Sequence, residues 1–453
     1  MINRLLFIVT LLLACETAFA QQASQNMNLL STWRDPDTTV YYNEIWGYTA
    51  GGREYAIIGS NYATNFLDVT NPAAPLLIKT APGQMNNTIW RDFKTYQHYA
   101  YTVADGGAGH SLQIFDLQYL PDSVHKVYDS NAISMSAHTV YIDNGKLYLV
   151  SNLRNGQNQA LDVYSLANPV APAYLGSLNS TFFNDMHAVF VKNDTAYCSA
   201  GWPGMVVYNV ANINNPVLIS SLTSYPFQGY NHSTWLSADS KKMIMTDEVP
   251  AGLPVKLYDV SDPANPVFKA SFTSDSAATP HNTFIVGNNY AVLSFYHDGV
   301  QVFDISDPNN VTRAGFYDTY PDNPTDYSGY KGCWGVYPFL PSGNIIASDI
   351  KYGLYVLSPP YAVVSGTKKD AAQNPAFTVF PNPASETLSF KLEKPVTNLQ
   401  LTITDALGRQ VKSVKGNALT QQQLNISGLA DGLYLVHASG DGFSQTRRFL
   451  VKK

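Results

Sequence analysis

The chain has 453 residues, only 14% of them charged, a formal net charge of −6, and 30 tyrosines with 21 phenylalanines. So low a charged fraction with so many aromatics excludes a disordered, solvating polypeptide, and the acidic balance leaves no basic footprint for nucleic acid. Beyond residue 20 only Cys198 and Cys333 remain, too few for a disulfide scaffold. Two buried, inert thiols are the expected state, with a single disulfide as the alternative.

Residues 1–20 read as a signal peptide: Arg4 in a short basic start, an apolar run from Leu5 to Ala14, and Ala18-Phe19-Ala20 as a small-residue cleavage site. A competing reading takes Leu12-Leu13-Ala14-Cys15 as a lipoprotein site with Cys15 lipidated. The apolar run is too short to span a bilayer, and no later stretch approaches about 18 apolar residues. The mature chain is therefore expected to be soluble, with no transmembrane segment.

A repeat then organises the chain. Its clearest copies are Val302-Phe303-Asp304-Ile305-Ser306-Asp307-Pro308 and Leu257-Tyr258-Asp259-Val260-Ser261-Asp262-Pro263, and weaker copies centre on positions 68, 116, 165, 209 and 356. Successive centres lie 44 to 52 residues apart, which suits a four-stranded propeller blade. In the sixth unit the strand signals are His281 to Val286, Tyr290 to Tyr296, Val300 to Ile305 and Val311 to Tyr317. The Asp/Asn-Pro step ends the third strand, because proline cannot donate to a ladder and an Asx side chain closes a turn. The third, fourth and seventh copies carry Ser165, Asn209 and Val356 at the Asp position, which argues for a turn role there over a catalytic one.

The seventh unit has only three strand signals before Pro359-Pro360. Asn28 to Trp33 resembles the fourth strands of other units and is expected to complete that blade and remove its open edge. Residues 27–360 thus predict a seven-bladed β-propeller and 361–376 a linker. Residues 377–453 contain seven short alternating segments and predict a small C-terminal β-sandwich, so the fold class is all-β throughout.

Two resemblances attach to these regions. Pro381-Asn382-Pro383, Asp405-Ala406-Leu407-Gly408-Arg409, Gly428 to Tyr434 and the ending Arg448 to Lys453 resemble the type A C-terminal sorting domain of the Bacteroidetes type IX secretion system, also called the Por system. That resemblance implies passage through the periplasm, handling by the type IX machinery, and delivery to the outer-membrane surface or the medium. The Val-x-Val-Phe-Asp-Ile-Ser-Asp-Pro copies, His232 to Leu236 and Trp334 to Asn344 resemble the LVIVD-repeat propellers grouped as choice-of-anchor B proteins. This second resemblance implies a fold and an address, and no reaction.

One constellation is chemically suggestive. The start of the innermost strand in successive units reads Trp46, Trp90, His138, His187, His232, His281 and Trp334, so four of the nine histidines fall in consecutive blades. Fifteen residues further on stand Asn61, Asp105, Leu153, Trp202, Asp247, Tyr296 and Asp349, with Glu248 and Asp298 nearby. In an antiparallel hairpin these two sets meet at one end of the blade, around the channel. Imidazole with carboxylate suits Zn²⁺ or another borderline divalent cation, or a proton-transfer pair. Repeated histidines can equally fix blade packing by neutral hydrogen bonds.

The candidate ligand residues are His138, His187, His232, His281, Asp105, Asp247, Asp298, Asp349, Trp46, Trp90 and Trp334, the four histidines being the candidate metal ligands. No zinc-protease, nucleophile-elbow, phosphate-loop or dinucleotide motif accompanies them. The expected function is a surface or secreted scaffold binding an extracellular ligand or protein of unknown identity. The alternatives are a metal-dependent hydrolase or lyase and a passive surface protein.

Overall fold

The computed structural model describes residues 23–322, 327–361, 377–405, 410–416, 419–440 and 443–453. The expected signal peptide with Cys15, almost all of the expected linker, and Ala406 to Arg409 of the sorting motif lie outside the described residues. Two compact units are present, Met1–Ser365 and Gly366–Lys453. Among the described residues every regular element is a strand, and no helix is long and apolar enough to cross a membrane.

The described part of the first unit contains seven antiparallel sheets, the blades of a β-propeller, six built on four consecutive strands in meander order and the last on three such strands and one from the N-terminus. Blade five is representative, with Asn231–Leu236 innermost, then Lys242–Asp247, Val255–Asp259 and Val267–Phe272. Its second and third strands are buried almost throughout, whereas the outer strand alternates between exposed and half-buried residues. This gradient follows from stacking: inner strands are covered on both faces by neighbouring blades, while outer strands face water. Successive innermost strands pack against one another round most of the ring, and between blades six and seven Tyr290–Ser294 meets Cys333–Tyr337.

The third-strand repeat owes its form to its turn. Asp68, Asp116, Asn209, Asp259 and Asp304 each accept a hydrogen bond from the backbone N–H two residues on, at 2.8–3.0 Å. Ser165 does the same at 3.2 Å. These short side chains end the strand by an Asx or ST turn.

Hydrophobic clusters lie between blades. Tyr148, Leu161 and Val163 of blade three share a core with Val189, Cys198 and Val206 of blade four, and Ile45, Ile58 and Leu67 of blade one share another with Leu354 and Val356 of blade seven. Blades one and seven approach so closely that a Cβ on Gly47 would lie 2.2 Å from the Tyr337 ring. Cys198 and Cys333 are free buried thiols.

Ring closure uses the N-terminus. Leu29–Trp33 pairs antiparallel with Gly353–Leu357 and supplies the fourth strand of blade seven. A further short strand, Ser24–Gln25, pairs with Thr312–Tyr317 and gives blade six a fifth strand. Nothing in the repeat anticipates that addition, because two residues carry no periodic signal.

The second unit comprises two sheets. One is formed by Phe377–Phe380, Thr387–Val396 and Leu419–Asn425, the other by Gln410–Gly416, Leu399–Asp405, Gly432–Gly440 and Phe443–Val451. Phe377, Phe390, Leu401, Val436 and Phe449 form its core, as two sheets facing each other require.

Candidate functional site

The channel end of the ring opens into a cavity of about 530 Å³ whose lining includes Trp90, Asp105, His138, His187, Trp202, His232, Glu248, His281 and Trp334. The histidines reach it because of where their backbone is held. His138, His187 and His281 each donate a backbone hydrogen bond to a carbonyl of the second strand, those of Val150, Ser199 and Ser294, at 2.8–2.9 Å. His232 occupies a bulge between the Asn231–Asp247 and Ser233–Thr246 pairs. Bulges re-aim a side chain out of the alternating pattern of a strand.

The four imidazoles form a continuous arc across blades three to six, with successive ring centroids 4.3, 3.9 and 4.3 Å apart, and His281 ends against Trp334 at 5.1 Å. Nδ1 of His138 lies 2.8 Å from an Asp105 carboxylate oxygen, Nδ1 of His187 3.1 Å from the His232 carbonyl, and Nδ1 of His281 2.5 Å from the Trp334 carbonyl. Nε2 of His138 and Nε2 of His187 lie 2.8 Å apart. The Tyr296 hydroxyl donates to Glu248 at 2.7 Å, and the same carboxylate oxygen is 3.9 Å from Nε2 of His281. A nitrogen of His187, a nitrogen of His232 and a carboxylate oxygen of Glu248 all lie within 4.8 Å of one another.

The electrostatics divide the site. Burial, reinforced by the neighbouring imidazoles, holds His187 and His232 well below the ordinary histidine range, and burial holds His281 down to about 3. These rings are neutral at physiological pH, with nitrogen lone pairs available. Burial also raises the Glu248 carboxyl, while Tyr296 and His138 act in the opposite direction. Asp105 behaves differently. Burial alone would raise it, but the hydrogen bond and charge of His138, with bonds from Gly106 and Ser136, bring it down to about 2.

Of the four candidate aspartates, Asp105 lines the cavity, and Asp247, Asp298 and Asp349 do not. Asp247 is fully buried against Lys256 at 2.8 Å and also takes hydrogen bonds from Tyr225, Asn231 and the Gly229 N–H. Asp349 caps the Lys351 and Tyr352 N–H groups at 2.9 Å and accepts from Thr319. Asp298 accepts from Tyr327 at 2.8 Å. Each carboxylate turns toward its own hairpin or loop, where donors satisfy it, and away from the channel.

Trp46 also departs from the aligned set. In blade one the pairing runs from Tyr42–Ser60 to Ile45–Ile58 through a bulge, so Asn43 and Glu44 occupy the place that His232 holds in blade five. Trp46 lies further along the strand, bonded to Thr95 and packed on Tyr337 at 4.8 Å, and it lines a second hollow with Phe339 as well as the main cavity. Trp90 and Trp334 line the cavity, Trp90 at 40% exposure and Trp334 at 7%.

Sequence reasoning left Glu44, Glu248, Trp202, Tyr230, Tyr296 and Tyr330 out of the candidate set, and all six line the cavity. Trp202 and Tyr296 stand fifteen residues beyond His187 and His281, so the offset that singled out Asp105 also pointed to them. Glu44 carried no such signal, because a bulge defeats counting. It bonds Asn282, and burial together with the Asp92 charge pushes its carboxyl up.

Solved structures similar to this chain include WD40 β-propellers. The WD40 β-propeller domain of Doa1 superposes with a TM-score of 0.50 at 9% identity, covering 74% of this chain and 99% of that one. The RRP9 WD40 repeats superpose at 0.52 with 10% identity, covering 73% and 97%. At such identities the likeness speaks for the fold alone. No curated protein matches the chain in sequence. Residues 378–452 match the secretion system C-terminal sorting domain, Por_Secre_tail, and this module marks the propeller as cargo of that secretion system, exported to the cell surface or the extracellular space.

Proposed function

We propose that the exported propeller is a binding scaffold of the LVIVD-repeat, choice-of-anchor B kind, with its ligand or partner site at the channel mouth. In this reading residues 1–20 are the signal peptide, 27–360 the propeller, 361–376 the linker and 377–453 the sorting domain. The observation that carries the proposal is the make-up of the cavity. Trp90, Trp202 and Tyr330 stand 40%, 60% and 50% exposed at its rim, while the neutral imidazoles of His187, His232 and His281 and carboxyl groups that include Asp105 and Glu248 line its interior. Aromatic walls around a few convergent polar groups characterise small-molecule sites, and they suit a ligand with one flat apolar face and several hydrogen-bonding groups.

A calorimetric and thermal-shift panel of soluble saccharides and aromatic heterocycles, run on the secreted protein in EDTA, tests this. At least one class should raise Tm, and the Trp90→Ala/Trp202→Ala double variant should bind it at least about tenfold more weakly. A panel without response in the wild type favours a passive surface protein. The second reading, a metal-dependent hydrolase or lyase, draws on the grouping of His187, His232 and Glu248.

A further inference from the structure

We infer that the inner part of this cavity is a site for one divalent transition-metal ion of the Zn²⁺ class, held by His187, His232 and Glu248 with His138 as the fourth ligand. The inference rests on the channel-mouth binding reading and names the chemistry of one ligand of that site.

It begins from the ring protons. Nδ1 of His138 faces a carboxylate and Nδ1 of His187 faces a backbone carbonyl, both acceptors only. Each ring therefore carries its proton on Nδ1, and in the neutral state each Nε2 bears a lone pair. Yet the two Nε2 atoms face one another at 2.8 Å. Two lone pairs at that distance repel, and only a cation shared between them makes the arrangement favourable. That cation is either a proton or a metal ion.

The surroundings favour the metal. His232 is only 2% exposed, and its Nδ1 makes no hydrogen bond of normal geometry, the His281 backbone acting on the ring only as a weak acceptor. Nitrogens of His187 and His232 and an oxygen of Glu248 converge within 4.8 Å, whereas a bridging proton would use neither His232 nor Glu248. The outer contacts are those that orient metal ligands: a carboxylate on His138, a backbone carbonyl on His187, and the Tyr296 hydroxyl on Glu248. Tetrahedral ligation at about 2.0–2.1 Å places donor atoms about 3.3 Å apart. Binding would thus widen the 2.8 Å Nε2 pair slightly and draw the His232 and Glu248 ligand atoms, now within 4.8 Å of His187, closer together. Imidazoles with one carboxylate select Zn²⁺, Co²⁺, Ni²⁺ or Cu²⁺ over Mg²⁺ and Ca²⁺, which require oxygen cages.

The mature full-length protein, stripped with EDTA, should take up one Zn²⁺ per chain by calorimetry, and Co²⁺ should give visible bands of nitrogen–oxygen ligation. His187→Ala and His232→Ala should each weaken Zn²⁺ binding by at least about 100-fold, and Glu248→Gln, which retains shape and an acceptor for Tyr296, by at least about tenfold. Should either histidine variant fail to fold, Glu248→Gln decides. A wild type that takes up no stoichiometric Zn²⁺, or a folded Glu248→Gln protein that binds it as the wild type does, overturns the inference and leaves a shared proton. Because the saccharide and heterocycle panel is run in EDTA, failure of the metal site and failure of the binding reading register separately.

Discussion

Blades two, five and seven each end their second strand on an aspartate, and the three carboxylates have different fates. Asp105 turns into the cavity, ties down His138 and retains side-chain exposure of 34%. Asp247 and Asp349 are fully buried and spend their acceptors on an ion pair, hydroxyls and backbone N–H groups of their own surroundings. The difference is set by which donor reaches the carboxylate first. Lys256 lies in the neighbouring strand of blade five, Thr319 and a tight turn serve blade seven, and in blade two the next blade's histidine is the donor. Equivalent positions in a repeat share backbone geometry, and chemistry follows from the partner.

The comparison breaks most visibly at blade five. Asp247→Ala leaves the Lys256 ammonium buried without its counter-charge, and should cost about 3–5 kcal/mol in a denaturant melt. Replacing Asp247 and Lys256 together with Asn and Met should recover much of that loss. If the single and double variants melt alike, the ion pair is not what holds this blade.

At blade seven the signature is a pH dependence. Burial pushes the Asp349 carboxyl up to about 7, and the nearby Asp318 charge adds to the shift while the Lys351, Tyr352 and Thr319 hydrogen bonds oppose it. A folded-state value above the unfolded one means that the native protein binds the proton more tightly. Its contribution to stability is complete below about pH 4 and is lost as the pH rises through about 7, a decline of about 3–4 kcal/mol. Asp318, raised to about 6, adds to the same trend. Asp349→Asn should flatten the decline measured by unfolding at pH 4, 5.5 and 7, and an unaltered slope would assign it elsewhere.

The smallest effect belongs to blade two. Asp105→Asn should change global stability by only about 1 kcal/mol, because the group is partly exposed and its loss can be compensated by water. What it should alter is His138, whose ring proton loses its charged acceptor. Two-dimensional NMR of the histidine side chains would read a change at His138 with Tm nearly constant, and a large loss of Tm would place Asp105 with the other two.

Much of this was legible in the sequence because period and pairing are local. The seven third-strand copies, the missing strand of the last unit and its N-terminal replacement all follow from short stretches of residues. The consecutive histidines were visible for the same reason, since each begins an innermost strand at a regular spacing. What was not legible depended on bulges and distant partners. One bulge displaced Trp46 from the set and brought Glu44 into the cavity. Glu248, adjacent in sequence to Asp247 and just beyond the end of its strand, lines the cavity while its neighbour is buried in the blade. The ion pair of Asp247 left one trace that could have been read, a lysine at position 256 between Val255 and Leu257, inside the strand and ahead of its closing Asp259.

The clasp between the first and last strands of the ring has a kinetic consequence. Asn28 donates to the Ser358 hydroxyl at 2.9 Å across 330 positions of sequence. The entropy of closing so large a loop grows only logarithmically with its length, so the clasp is inexpensive at equilibrium. Contacts of such separation nevertheless depress folding rates, because they form only after the intervening chain is ordered. Leu29–Trp33, which precedes the blades of the ring in the chain, is therefore among the last strands to find its place, and until it does, blade seven presents an unpaired edge.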